Sequence, residues 1–193
     1  MKRLITHLIG GIAIAFCGST AAQILESPIA TSNGDWKPWV FCPPGQYAYG
    51  VKLLVQPYQG QDKDDTGVNN IALICSYPGD YTKGHEVFTV GGLLGRWGTE
   101  HNCYGRVTGM QFRSEPDQGD GDDTGLNNIR IFCNDSRDDY IQAEGNALGY
   151  WTNARHCDTQ RAVCGISLQV EAPSAGDNTA VNNVRFECCS MSE

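Results

Sequence analysis

DDTGVNNIALIC at Asp64 to Cys75, DDTGLNNIRIFC at Asp122 to Cys133 and DNTAVNNVRFEC at Asp177 to Cys188 are one segment written three times. Asp, Thr, both Asn and Cys keep their places in every copy. The third copy replaces an Asp by Asn178 and a Gly by Ala180. Upstream of each lies a second shared element, Gly-x-Trp-x5-Cys, beginning at Gly34, Gly95 and Gly149. Its tryptophans are Trp36, Trp97 and Trp151, and its cysteines are Cys42, Cys103 and Cys157. Two independent elements recurring in one order identify an internal repeat, with units at about 34–90, 91–146 and 147–189.

Each unit reads as strand. Ile129, Ile131 and Cys133 alternate with Arg130 and Phe132; Val184, Phe186 and Cys188 alternate with Arg185 and Glu187; Ile166, Leu168 and Val170 alternate with Ser167 and Gln169. Period two with β-branched residues describes half-buried strands. A unit of about 55 residues has room for roughly four short strands. Three small sheets, none able to bury a face alone, are expected to pack around a common axis. The Asn-Asn pairs suit a tight turn entering a strand, because Asn tolerates positive φ and bonds neighbouring backbone. The preceding Asp and Thr are expected to order the loop through side-chain bonds. Threefold recurrence itself favours this structural role, since one catalytic site does not need three copies of its residues.

The amino terminus reads as a secretory signal over residues 1–22: Lys2 and Arg3, an apolar run from Leu4 to Phe16, then small residues ending at Ala22. The run is too short for a membrane span. Cleavage leaves residues 23–193 as a single domain. Losing Lys2 and Arg3 from 14 basic side chains leaves 12 against 22 acidic ones, a net of −10. So acidic a chain, with no basic cluster, is a poor partner for nucleic acid or an anionic membrane. The cysteines fall from nine to eight with the loss of Cys17, an even number suited to an oxidising compartment. Following the repeat, Cys42 is expected to bond Cys75, Cys103 to bond Cys133, and Cys157 to bond Cys188. Cys164 is then left for Cys189, whose side chain faces the other way from that of Cys188. Exchange of Cys188 for Cys189 stays open on spacing alone.

The three Asp-Asp/Asn-Thr…Asn-Asn…Cys segments, each after a Gly-x-Trp element, resemble the vitelline membrane outer layer family over about Gly34 to Cys189. The resemblance implies an all-β fold, a β-prism of three Greek-key antiparallel sheets with pseudo-threefold symmetry. It further implies an extracellular protein of a coat or secretion, with no catalytic residues to carry over.

Chemistry-bearing patterns are sparse. There is no G-x-S-x-G, H-E-x-x-H or phosphate-loop motif. His85, His101 and His156 have no recognisable partners. A zinc site lacks any C-x2-C pair, and DQGDGDD at 117–123 departs from a calcium-loop spacing. No metal or other cofactor is therefore expected. The tryptophans of the repeat read as core packing. Trp39, Tyr47, Tyr49 and Tyr58 belong to the first unit alone, so Trp39 and Tyr58, with Asp65, Asp123 and Asp177, are the candidate ligand-binding residues. Asn134-Asp135-Ser136 is an N-glycosylation sequon. The function expected is a secreted, non-enzymatic barrier or structural protein associating with extracellular glycoproteins or glycans. A lectin or weak glycan-active enzyme is the alternative.

Overall fold

The computed structural model describes residues 22–28, 31–60, 63, 65–82, 84–119, 123–173 and 178–191. Fifteen strands run through them: β1 (Gln23–Glu26), β2 (Asp35–Trp36), β3 (Val40–Phe41), β4 (Tyr47–Val55), β5 (Val68–Ser76), β6 (His85–Val87), β7 (Arg96–Trp97), β8 (His101–Asn102), β9 (Val107–Ser114), β10 (Leu126–Cys133), β11 (Tyr140–Gln142), β12 (Tyr150–Trp151), β13 (Arg155–His156), β14 (Arg161–Val170) and β15 (Val181–Ser190). The first two units have five strands each where four were expected, because the Gly-x-Trp-x5-Cys element forms two separate two-residue strands; the third unit has four, and β1 lies ahead of the first unit.

Three antiparallel sheets result. Sheet I has the order β6-β5-β4-β7, with β8 also on β4. Sheet II has the order β11-β10-β9-β12, with β13 also on β9. Sheet III has the order β1-β15-β14-β2, with β3 also on β14. In chain order the first two read three-two-one-four, the Greek-key arrangement. Sheet III repeats that order with the chain cut open: its long hairpin is carboxy-terminal, and its three short strands come from the amino-terminal region. The fold is a β-prism. Among the described residues no helix is long and apolar enough to cross a membrane.

Sequence repeat and sheet are therefore out of phase. The tryptophan element of one unit completes the sheet of the unit before it: Trp97 pairs with Leu54, Trp151 with Arg113, and Trp36 with Gln169. The glycine of this element is dictated by the joint. Gly34, Gly95 and Gly149 all have positive φ, and a Cβ on them would lie 2.1–2.2 Å from the carbonyl oxygens of Val170, Val55 and Ser114.

The inner faces meet along the axis. Val51, Leu53, Ile71 and Leu73 of sheet I, Met110, Phe112, Ile129 and Ile131 of sheet II, and Ile166, Leu168, Val184 and Phe186 of sheet III form one buried cluster. Phe112 and Phe186 cross it edge to face, 6.3 Å apart. These are the alternating positions of the strands, so period two decides the core. Each long hairpin carries two irregularities: one leaves Tyr49, Thr108 and Cys164 as extra residues, and the other leaves Asn69, Asn127 and Asn182.

Four disulfides are present: Cys42–Cys75, Cys103–Cys133, Cys157–Cys188 and Cys164–Cys189. The first three join one sheet to the next. The fourth lies within sheet III, between β14 and β15, away from the axis in a small cluster with Tyr47, Ala162 and Met191.

Candidate functional site

The repeated motif gathers at one end of the prism. Gly67 closely approaches the Leu126 carbonyl, and Gly125 that of Val181, so the three loops touch one another there. Thr66 donates both its backbone N–H (3.1 Å) and its hydroxyl (2.5 Å) to Oε1 of Gln56. Thr124 makes the same pair of bonds to Glu115, and Thr179 to Glu171. The first Asn of each pair donates back to that Thr hydroxyl, at 2.6 Å from Asn69, 2.6 Å from Asn127 and 2.7 Å from Asn182. The second Asn reaches outward: Asn70 donates to the Thr89 carbonyl and Asn183 to that of Thr31.

This differs from the expected turn. Asn69, Asn70, Asn127, Asn128, Asn182 and Asn183 are buried strand residues, and the left-handed backbone falls instead on Gly67 and Ala180. A strand start needs its polar ends satisfied as a turn does, and a buried amide side chain supplies both donor and acceptor. Gln56, Glu115 and Glu171, the acceptors for the threonines, escape a reading of the motif alone. Their signal is their common place immediately after each long strand.

Asp65 and Asp123 are buried. Asp65 accepts from the backbone N–H and the side-chain amide of Gln59, and Asp123 from the backbone N–H of Gln118. The residue standing at this place in the third copy is Asn178, whose side chain bonds Ala172 and Ala180. Asp177 lies outside the described residues, as do residues 1–21, where the secretory signal was expected, and Asp62, Asp64, Asp120 and Asp122. Trp39 is half-buried between β2 and β3, stacked on Phe41 with centroids 6.0 Å apart. Tyr58 is exposed on the loop after β4. Trp39 and Tyr58 thus sit on different sheets, and each Asp serves its own loop.

Three clefts are better formed. One of about 500 Å³ lies between sheets III and I at the motif end, where Val170 to Pro173 face the Val90-Gly91-Gly92-Leu93-Leu94 loop above Asn69 and Asn178. Leu93 is 92% exposed at its rim. A pseudo-equivalent cleft between sheets I and II has Glu144-Gly145-Asn146 in the corresponding loop. The glycines permit the approach, since a Cβ on Gly91 or Gly145 would strike the carbonyl of Asn69 or Asn127. The third cleft, about 630 Å³ and polar, is lined by Asp135, Arg137, Arg155, His156 and Asp158. Burial, with the Arg137 charge adding to it, holds the His156 imidazole below the usual histidine range. None of Trp39, Tyr58, Asp65 and Asp123 lines any of these three clefts.

The recurring tryptophans are not core residues, contrary to the packing role expected of them. They lie on the outer faces. The Arg185 guanidinium covers the Trp36 ring at 3.7 Å, and that of Arg130 covers Trp151 at 3.9 Å. Alternation explains the difference: the inner positions are filled by aliphatic residues with Met110, Phe112 and Phe186, and the outward arginines of β10 and β15 need a polarizable surface to rest on.

Comparison with known proteins places this architecture. A variant of Malaysian banana lectin superposes with a TM-score of 0.52 at 9% identity, over 88% of this chain and 99% of the lectin. A prostate-specific WGA16 glycoprotein lectin gives 0.51 at 13% identity, over 86% and 99%. At these identities the likeness is one of fold. The vitelline membrane outer layer protein 1 homologs are nearer in sequence. The Mus musculus protein is 34% identical over 170 residues, covering 82% of this chain and 81% of the homolog. The Homo sapiens protein is 33% identical over 168 residues, covering 82% and 80%. The family model described as vitelline membrane outer layer protein I matches residues 23–191. The chain, with its three Thr-bridged Asn-Asn strand starts and its out-of-phase sheets, belongs to the vitelline membrane outer layer protein I family.

Proposed function

We propose that this is a secreted, non-enzymatic protein of an extracellular coat or secretion, which associates there with glycoproteins or glycans. The observation that carries the reading is the ring of disulfides, Cys42–Cys75, Cys103–Cys133 and Cys157–Cys188, which ties each sheet to the next. Such a ring suits an oxidising compartment and a protein that must persist there. The leader at 1–22 and the exposed Asn134 sequon fit the same route. The motif carboxylates Asp65 and Asp123 are committed to loop hydrogen bonds, which argues against an acid–base role for them. Lectins use this fold, so it admits a carbohydrate site without placing one.

Expression in secretory cells tests the first half of the reading: the protein is expected in the medium, starting at Gln23. For the second half, the protein is incubated with extracellular glycoproteins before and after enzymatic removal of their glycans, and with chitooligosaccharides as hydrolysis substrates. The expectation is capture that depends on the glycans, with no turnover. Retention inside the cell overturns secretion, and turnover of the oligosaccharide promotes the glycan-active alternative.

A further inference from the structure

The outer faces of the three sheets differ in how the tryptophan is covered. On sheets II and III the tryptophan is covered by an arginine that a neighbour holds in position. Arg130 donates to Gln142 at 3.1 Å, and Arg185 makes a bidentate pair with Glu26 at 2.9 and 3.1 Å. The register pairs Arg130 with Gln142 and Arg185 with Glu26. On sheet I the residue in the arginine's place is Ala72. The pairing of Leu73 with Val87, continued by one residue, puts Phe88 where Gln142 and Glu26 stand. Both members of the polar pair have been exchanged for apolar residues.

The exchange uncovers Trp97. Among the described residues no guanidinium lies over its ring. Phe88 meets it at 5.6 Å with the planes tilted by 54°, and Lys52 Nζ stands 5.6 Å from the centroid. Trp97 is 36% exposed and Phe88 50%. Lys52 is tied to Glu86 at 2.8 Å beside them. The result is an open corner of two aromatic faces, flanked by a donor and an acceptor.

We propose that Trp97 and Phe88 are the stacking platform of a hexopyranose-binding site on the outer face of sheet I; this rests on the glycan-association reading above and gives it a location. The electron-rich face of an indole attracts a partner that presents polarized hydrogens, a role the guanidinium fills at Trp36 and Trp151. A hexopyranose ring with a flat C–H face presents the same thing with no net charge. Lys52 and Glu86 then meet its hydroxyls, as the few placed polar groups of a ligand site do. A cationic ligand fits less well, because Lys52 already holds a positive charge beside the ring.

The test is a microarray of neutral and acidic N-glycans and chitooligosaccharides, followed by calorimetric titration of the strongest binder. It compares the wild type with W97A, with W151A, and with A72R/F88E, which rebuilds the Arg185–Glu26 arrangement over Trp97. Thermal melts establish that each variant is folded. The expected result is at least tenfold weaker binding by W97A and by A72R/F88E, with W151A within threefold of wild type. Wild-type binding that survives in W97A and A72R/F88E overturns the site while leaving glycan association standing. Equal losses in W97A and W151A also overturn it. Binding of no glycan by the wild type overturns both readings.

Discussion

Cys42 and Cys75 are disulfide-bonded across two sheets: Cys42 donates its backbone N–H to the Cys164 carbonyl of sheet III, and Cys75 lies on β5 of sheet I. Cys103 and Cys157 repeat this arrangement, bonding backbone to Tyr49 and Thr108 while their sulfurs reach Cys133 and Cys188. Within each sequence unit the bridge runs from first element to last, yet in space it always leaves one sheet for another.

The bridges close sequence separations of 33, 30, 31 and 25 residues, so chain entropy alone makes them nearly equal, at about 3.5–4 kcal/mol each. Burial separates them. Cys75 and Cys188 are in the core, while Cys164 and Cys189 sit in the small outer cluster. C42A/C75A and C157A/C188A are therefore expected to lose more stability than C164A/C189A in denaturant titrations, because they also leave a core cavity.

Gly95 and Gly60 both have positive φ, but only Gly95 is crowded, with a Cβ falling 2.1 Å from the Val55 carbonyl oxygen and nothing within 4 Å at Gly60. Gly60→Ala is expected to cost about 1 kcal/mol from left-handed strain alone. Gly95→Ala must also push β7 off β4, and is expected to cost at least about 2 kcal/mol and to shift the melting temperature at least about twice as far.

Asp65→Ala removes a buried acceptor for two donors of Gln59, and is expected to cost about 1.5–3 kcal/mol, the range for hydrogen bonds to a charged group. Asp65→Asn should cost less, about 1 kcal/mol for a neutral hydrogen bond, since Asn178 occupies the same place in the third copy. Chemical denaturation of both variants checks the order. Glycan binding is expected to be unchanged in both, because the side chain belongs to the loop and not to the outer face.

His156 packs edge to face on Phe132 at 4.6 Å, and burial together with Arg137 holds its pKa below the ordinary 6.5. The unfolded chain therefore binds a proton more readily than the folded one. The contribution of this group is intact above pH 6.5 and is lost as pH falls below it. His156→Phe is expected to flatten the acid side of the stability profile between about pH 6.5 and 5. Phe41 fills the equivalent place over Gly165, so the ring is accommodated. Melts across that pH range measure the slope.

Threefold architecture is legible without coordinates. Repetition of two elements, strict alternation in segments such as Val184-Arg185-Phe186, and glycines at fixed places are local properties, and local sterics and burial suffice to turn them into strands and a core. What lies between units is not legible. Period two states which side of a strand Trp97 occupies relative to its neighbours, but not which face of the finished sheet meets the axis. The core position expected for it fails for that reason. The partnership of the first strand, Gln23–Glu26, with the last, Val181–Ser190, likewise has no local signal, since it joins opposite ends of the chain. The loss of the arginine at Ala72 is visible in the aligned copies. Its consequence needs the sheet register, because only pairing across β5 and β6 brings Phe88 beside Ala72, and only the out-of-phase assembly lays Trp97 on the same face. Sequence alone determined strands, repeat and which residues share a strand face, which depend on neighbours a few residues away. Tertiary structure decided which units share a sheet and which aromatic face is left uncovered, because both follow from pairing between strands that the chain itself holds far apart.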